Sequence, residues 1–101
     1  MIARIWRATA TPSGAGAYQA HFDEAVLPAL RGTDGFVRAH LLRREAGPII
    51  EIQVITWWES LDKIRNFAGA ALGTAVVEPA ARAALTDYDT TVTHYEVTTE
   101  S

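Results

Sequence analysis

The chain has 101 residues, 49% of them hydrophobic, with nine Lys and Arg against twelve Asp and Glu and no Cys. That length sets one domain with a modest core, and a net charge of -3 without any dense basic cluster excludes the footprint of a nucleic-acid binder. The lack of Cys removes disulfide scaffolds, thiolate metal sites and Cys nucleophiles.

Residues Ile2 to Ala10 read as a first strand. Arginines interrupt the apolar run at the N-terminus, so neither a signal peptide nor a membrane helix is expected, and the expectation is a cytoplasmic protein without a membrane partner. Thr11 and Pro12 supply an N-cap and first helical residue. Tyr18, Phe22, Val26 and Leu30 then recur every fourth residue, the stripe of a helix that must lie on something. Gly14 and Gly16 weaken its first turn, and Pro28 is expected to kink or shorten its end.

Gly32, Asp34 and Gly35 mark a turn before a second strand, Phe36 to Glu45, in which Val37, Ala39 and Leu41 oppose Phe36, Arg38, His40 and Leu42. Ala46, Gly47 and Pro48 connect it to a third strand, Ile49 to Trp58, so the two are expected to form an antiparallel hairpin. In the third strand Ile50, Ile52 and Val54 share one face, and Glu51, Gln53, Ile55 and Trp57 the other. Ser60 caps a second helix whose inward face is Leu61, Ile64, Phe67 and Ala68. Gly69 and Gly73 loosen the chain, Pro79 opens a short helix through about Leu85, and Thr90 to Thr98 reads as the last strand. The order β-α-β-β-α-β predicts an α+β, ferredoxin-like fold, a four-stranded antiparallel sheet with helices on one face.

Sorting by alternation sends Ala3 and Ile5, with the apolar sets of strands two and three, toward the helices. Arg4, Trp6, Arg38, His40, Glu51, Gln53, Trp57, Val92, His94 and Glu96 are expected together on the opposite face. Two Trp among aliphatics make that face too apolar for a monomer, so a homodimer with facing sheets is expected.

The opening ARIWR, the hairpin phrase LLRRE, the ESLD helix ending in FAG, the segment AVVEPAARAAL and the closing HYEV resemble the antibiotic biosynthesis monooxygenase-like family of dimeric α/β barrels, along nearly the whole chain. The resemblance implies a homodimer whose sheets form a shared barrel, with a pocket in each subunit between sheet and helices. Some members oxygenate polycyclic aromatic or quinol-type compounds without metal or flavin, and others degrade haem. Members of the first kind use an Asn and a Trp one turn apart on helix two; here Asn66 is present and Ala70 stands a turn later. Haem degraders carry an Asn on strand one, a Trp on helix two and a later His; this chain has Arg4 and Trp6 on strand one and no His between His40 and His94.

The resulting expectation is a cofactor-free monooxygenase acting on an aromatic or polyketide-like small molecule. Isomerase or cyclase chemistry, or plain ligand binding by the dimer, are the alternatives. His40 and His94 are candidate proton shuttles, Arg38 and Arg4 candidate anion binders, and Asn66 a candidate for orienting a carbonyl. Trp6, Trp57, Phe67, Tyr88 and Gln53 complete the expected substrate contacts, the rings by stacking. Each has a structural rival: packing for the Trp, cross-strand ion pairs for the Arg, solvation for Asn66, sealing for Tyr88. His21 reads as a boundary residue of helix one. With scattered His and no phosphate-binding Gly motif, neither a metal nor a nucleotide cofactor is expected.

Overall fold

The computed structural model describes residues 1–101. Strand β1 (Ile2–Ala10) leads into helix α1 (Pro12–His21), where the Thr11 hydroxyl accepts from the Gly14 amide at 3.1 Å. The helix then widens into one π-turn, Phe22–Val26, and returns to α geometry as α2 (Leu27–Arg31). Pro28 accounts for the widening. It lacks an amide hydrogen and its ring crowds the carbonyl four residues back, so the helix relaxes outward there and continues past the proline to Arg31.

Strands β2 (Phe36–Ala46) and β3 (Ile49–Trp58) form the expected hairpin, turned at Gly47 with φ +68°. Ser60 accepts from the Lys63 amide and opens a short helix, a 3₁₀ turn at Asp62–Ile64 followed by α3 (Arg65–Ala68), which ends at Gly69 with φ +73°. After a loop come α4 (Pro79–Ala84), β4 (Asp87–Tyr88) and β5 (Thr93–Glu96). All pairings are antiparallel in the order β2-β3-β1-β4, and β5 also pairs with β1. The helices cover one face, where Trp58, Leu30 and Ile64 are sealed from solvent.

The last strand is split rather than continuous. Its middle leaves β1 to meet the α3–α4 loop: Thr91 bridges Thr74, Val92 donates to the Gly73 carbonyl at 3.0 Å, and Ala75 donates to the Thr90 carbonyl at 2.9 Å. Trp6 donates its indole hydrogen to the Asp89 carbonyl at 2.8 Å, where the chain leaves β1.

The register also reverses the expected facing of strand one. Arg4 and Trp6 stand opposite Thr56 and Val54 and face the helices, while Ala3 and Ile5 stand opposite Trp57 and Ile55 on the outer face. His94 pairs with Arg4 and follows it inward. Strand β1 is central and apolar on both faces, so alternation alone carries no direction there. Phe36 is likewise inward, edge-on to Trp58 with centroids 5.6 Å apart, because a bulge between Phe36 and Arg38 shifts the register by one residue.

Candidate functional site

Between the sheet and the first helix lies a cleft that opens to solvent on one side. Its sheet wall is Arg4, Trp6, Val54 and Thr56, its helix wall Tyr18, His21, Phe22 and Val26, and its rim Phe67, Val76, Val77 and Glu78. Most of this lining is apolar, and the Trp6 and Tyr18 rings lie 5.6 Å apart, so a flat hydrophobic molecule finds ring faces and aliphatic contacts.

Arg4 is the polar centre of the wall. It is 5% exposed, yet it takes part in none of the four ion pairs of the chain. Its Nη1 donates to the Leu72 carbonyl at 2.7 Å and to His94 Nε2 at 3.1 Å, and its Nη2 donates to the Thr74 carbonyl at 3.0 Å. The guanidinium also lies 6.0 Å from the Phe67 ring centroid. Burial lowers its pKa, and a guanidinium nevertheless stays charged. Because Arg offers only donors, His94 Nε2 must be the acceptor, which puts the imidazole proton on Nδ1. Desolvation first, and the Arg4 charge second, lower the His94 pKa and keep that ring neutral.

Three further polar groups face this space that sequence reasoning left out of the site. The Thr56 hydroxyl accepts from the Trp58 indole at 2.8 Å and keeps its own proton to donate. Burial, and then the Glu78 carboxylate, push the Tyr18 phenol well above its usual pKa, so it stays protonated. His21 lines the cavity, and its Nε2 is enclosed without a hydrogen-bond partner. The spacing of Tyr18, His21 and Phe22 on one helical stripe was the signal for the last two, since residues three and four apart share a face.

The expected site residues separate into groups. Arg4, Trp6 and Phe67 line the cavity, and His94 touches it through Arg4. Arg38, His40, Gln53 and Trp57 lie on the other face of the sheet, where Trp57 meets His40 edge-on at 4.9 Å and Arg38 at 6.0 Å, and Arg38 pairs with Glu100 at 3.3 Å. Asn66 is exposed and donates to the Asp34 carbonyl at 3.1 Å, tying α3 to the loop before β2. Tyr88 stands opposite Ala8 and packs against the core outside the cavity lining.

No family model and no curated protein matches the chain. Solved structures do. The chain is similar to MhuD, a haem degrader from Mycobacterium tuberculosis with two haems bound in its active site, at 24% identity over 100% of this chain and 99% of that one, with a TM-score of 0.66. It is similar to SnoaB, a cofactor-independent oxygenase from Streptomyces nogalater, at 15% identity over 98% of this chain and 95% of that one, with a TM-score of 0.62. A point mutant of SnoaB matches at 17% identity over 98% of this chain and 94% of that one, with a TM-score of 0.66. The chain therefore has the ferredoxin-like α+β fold of these two proteins, the fold that the resemblance to the antibiotic biosynthesis monooxygenase-like family implied.

Proposed function

We propose that this chain is a cofactor-independent monooxygenase that takes an aromatic or polyketide-like molecule into the cavity between sheet and helices, and that it works as a homodimer. The observation that carries the reading is the apolar cleft itself, with Trp6, Tyr18 and Phe67 in its walls. Its fold is one on which SnoaB, an oxygenase without a cofactor, is built.

The chemistry asks little of the protein beyond position and solvent exclusion. A hydroxylated aromatic, once ionised, hands one electron to O2, and coupling of the radical pair forms a C–O bond. The resulting peroxide loses water and leaves a carbonyl. One oxygen atom stays in the product, the other departs as water, and the substrate itself supplies the electrons, so a phenol and O2 become a quinone and water. Trp6 and Phe67 hold the ring, the Thr56 hydroxyl donates to a carbonyl, and the apolar lining keeps water from the intermediates. His94 acts through Arg4, since its free lone pair is already engaged there. Arg38, His40, Gln53 and Trp57 serve the surface that meets a partner sheet, and Asn66 and Tyr88 brace the frame.

An oxygen electrode with an anthrone as substrate tests the reading: one O2 is consumed per quinone formed. Val76 lines the rim and is 46% exposed, so Val76→Trp fills the cavity without disturbing the core, and turnover is expected to fall roughly 10²-fold. Conversion without oxygen uptake would replace the reading by an isomerase or cyclase. Binding without conversion would leave a non-catalytic binding protein.

A further inference from the structure

The geometry points to Arg4 as a built anion anchor, which makes the ligand of this cavity an aromatic carrying a planar two-oxygen anion, either a carboxylate or an ionised keto-enol. This deepens the proposed function and rests on its choice of cavity.

A guanidinium has five N–H donors in one plane. Three are used here, by the carbonyls of Leu72 and Thr74 and by His94 Nε2. The Nε–H and one Nη2–H have no partner in the chain. Nε and Nη2 are the two guanidinium nitrogens with a hydrogen to spare, and their shared edge has the spacing that meets the two oxygens of a carboxylate or chelated enolate side by side. Nε has no partner and is not sealed off, since His21 Nε2 is the one side-chain polar atom both enclosed and unpartnered.

The charge balance agrees with the donor count. Burying a cation that has no carboxylate costs several kcal/mol unless the surroundings compensate, and the surroundings here offer only dipoles. The one carboxylate of the cavity lining, Glu78, is exposed and acts on Tyr18 instead. The three bonds also fix the guanidinium before any ligand arrives, so little side-chain entropy is lost on binding. A purely structural tether for the loop would need the two carbonyl contacts and no open edge. Phe67 on the guanidinium and Trp6 on the same wall complete a shape in which an anionic end meets Arg4 while the rings lie on aromatic faces.

Calorimetric titration of the full chain with two probe pairs tests this without oxygen or turnover. The first pair is 2-naphthoate and its methyl ester; the second is ionised 2-hydroxy-1,4-naphthoquinone and its methyl ether. Each anion is expected to bind about 10- to 100-fold more tightly than its neutral partner, the worth of charge-assisted hydrogen bonds. Arg4→Met should erase the preference while leaving the neutral compounds bound, and Arg4→Lys, a point charge without the fork, should keep only part of it. Preference in the first pair alone identifies a carboxylate ligand, and in the second alone an enolate. Equal binding of anion and neutral partner, no binding of either, or a preference that survives in Arg4→Met would overturn the inference. Should the wild-type preference stand while no aromatic drives oxygen uptake, the oxygenase reading falls and the anchor remains. Oxygen uptake without any preference sinks the anchor alone.

Discussion

His94 is held neutral by two effects of the same sign, loss of water around the ring and the positive charge of Arg4 beside it. The consequence for stability follows from linkage. The unfolded chain titrates His94 near 6.5 and the folded chain lower, so between those values the unfolded state binds more protons. Stability from this group is complete above pH 6.5 and is lost as the pH falls toward the folded value. Urea titrations of wild type against His94→Gln across roughly pH 7.5 to 5 check it: the wild type should show the steeper decline. Equal slopes would mean that the Arg4–His94 contact does not persist in solution.

The two glycines of helix α1 illustrate how an element's neighbours decide what its residues mean. In isolation Gly14 and Gly16 are equivalent weak points of a helix. In the fold, a Cβ on Gly14 would collide with the Ala84 carbonyl at the end of α4, whereas one on Gly16 would meet nothing within 4 Å. Gly14→Ala is therefore expected to destabilise by about 1–3 kcal/mol, and Gly16→Ala to stabilise by about 0.5–1 kcal/mol, in chemical denaturation. The close approach of α4 to α1 brings Ala81 to the cavity wall, so the Gly14 variant should also weaken ligand binding. The hairpin follows the same logic on the sheet side: a single bulge turns Phe36 inward onto Trp58 and leaves Arg38 and His40 outward.

At the scale of the whole molecule, the uncovered sheet face carries Ile5, Ile55 and Trp57, with Leu42 44% exposed and Tyr95 56% exposed. These apolar side chains are what the proposed two-fold contact between like sheets would cover. Sedimentation equilibrium is expected to give twice the chain mass at micromolar concentration, and Trp57→Glu to return the monomer, since the proposed contact would then have to bury an unpaired charge. Because the cavity lies on the other side of the sheet, that variant should keep its ligand affinity. A wild-type monomer would remove the dimer from the proposed function and leave the cavity untouched.

The element order, the hairpin, the caps at Thr11 and Ser60 and the inward faces of β3 and the first helix were legible in the chain, because caps, turns and amphipathic periods are local properties, whereas Leu61, expected on the inward face of the second helix, is 44% exposed. The candidate site was legible only in part. Arg4, Trp6 and His94 could be grouped by parity, yet their side of the sheet could not be read from a central strand with apolar residues on both faces. Which buried charge lacks a carboxylate, which helix carbonyl approaches a glycine and which imidazole loses its partner are set by contacts between residues up to 90 positions apart. Periodicity carries the pairing of neighbours along the chain; only packing decides what fills the space between layers.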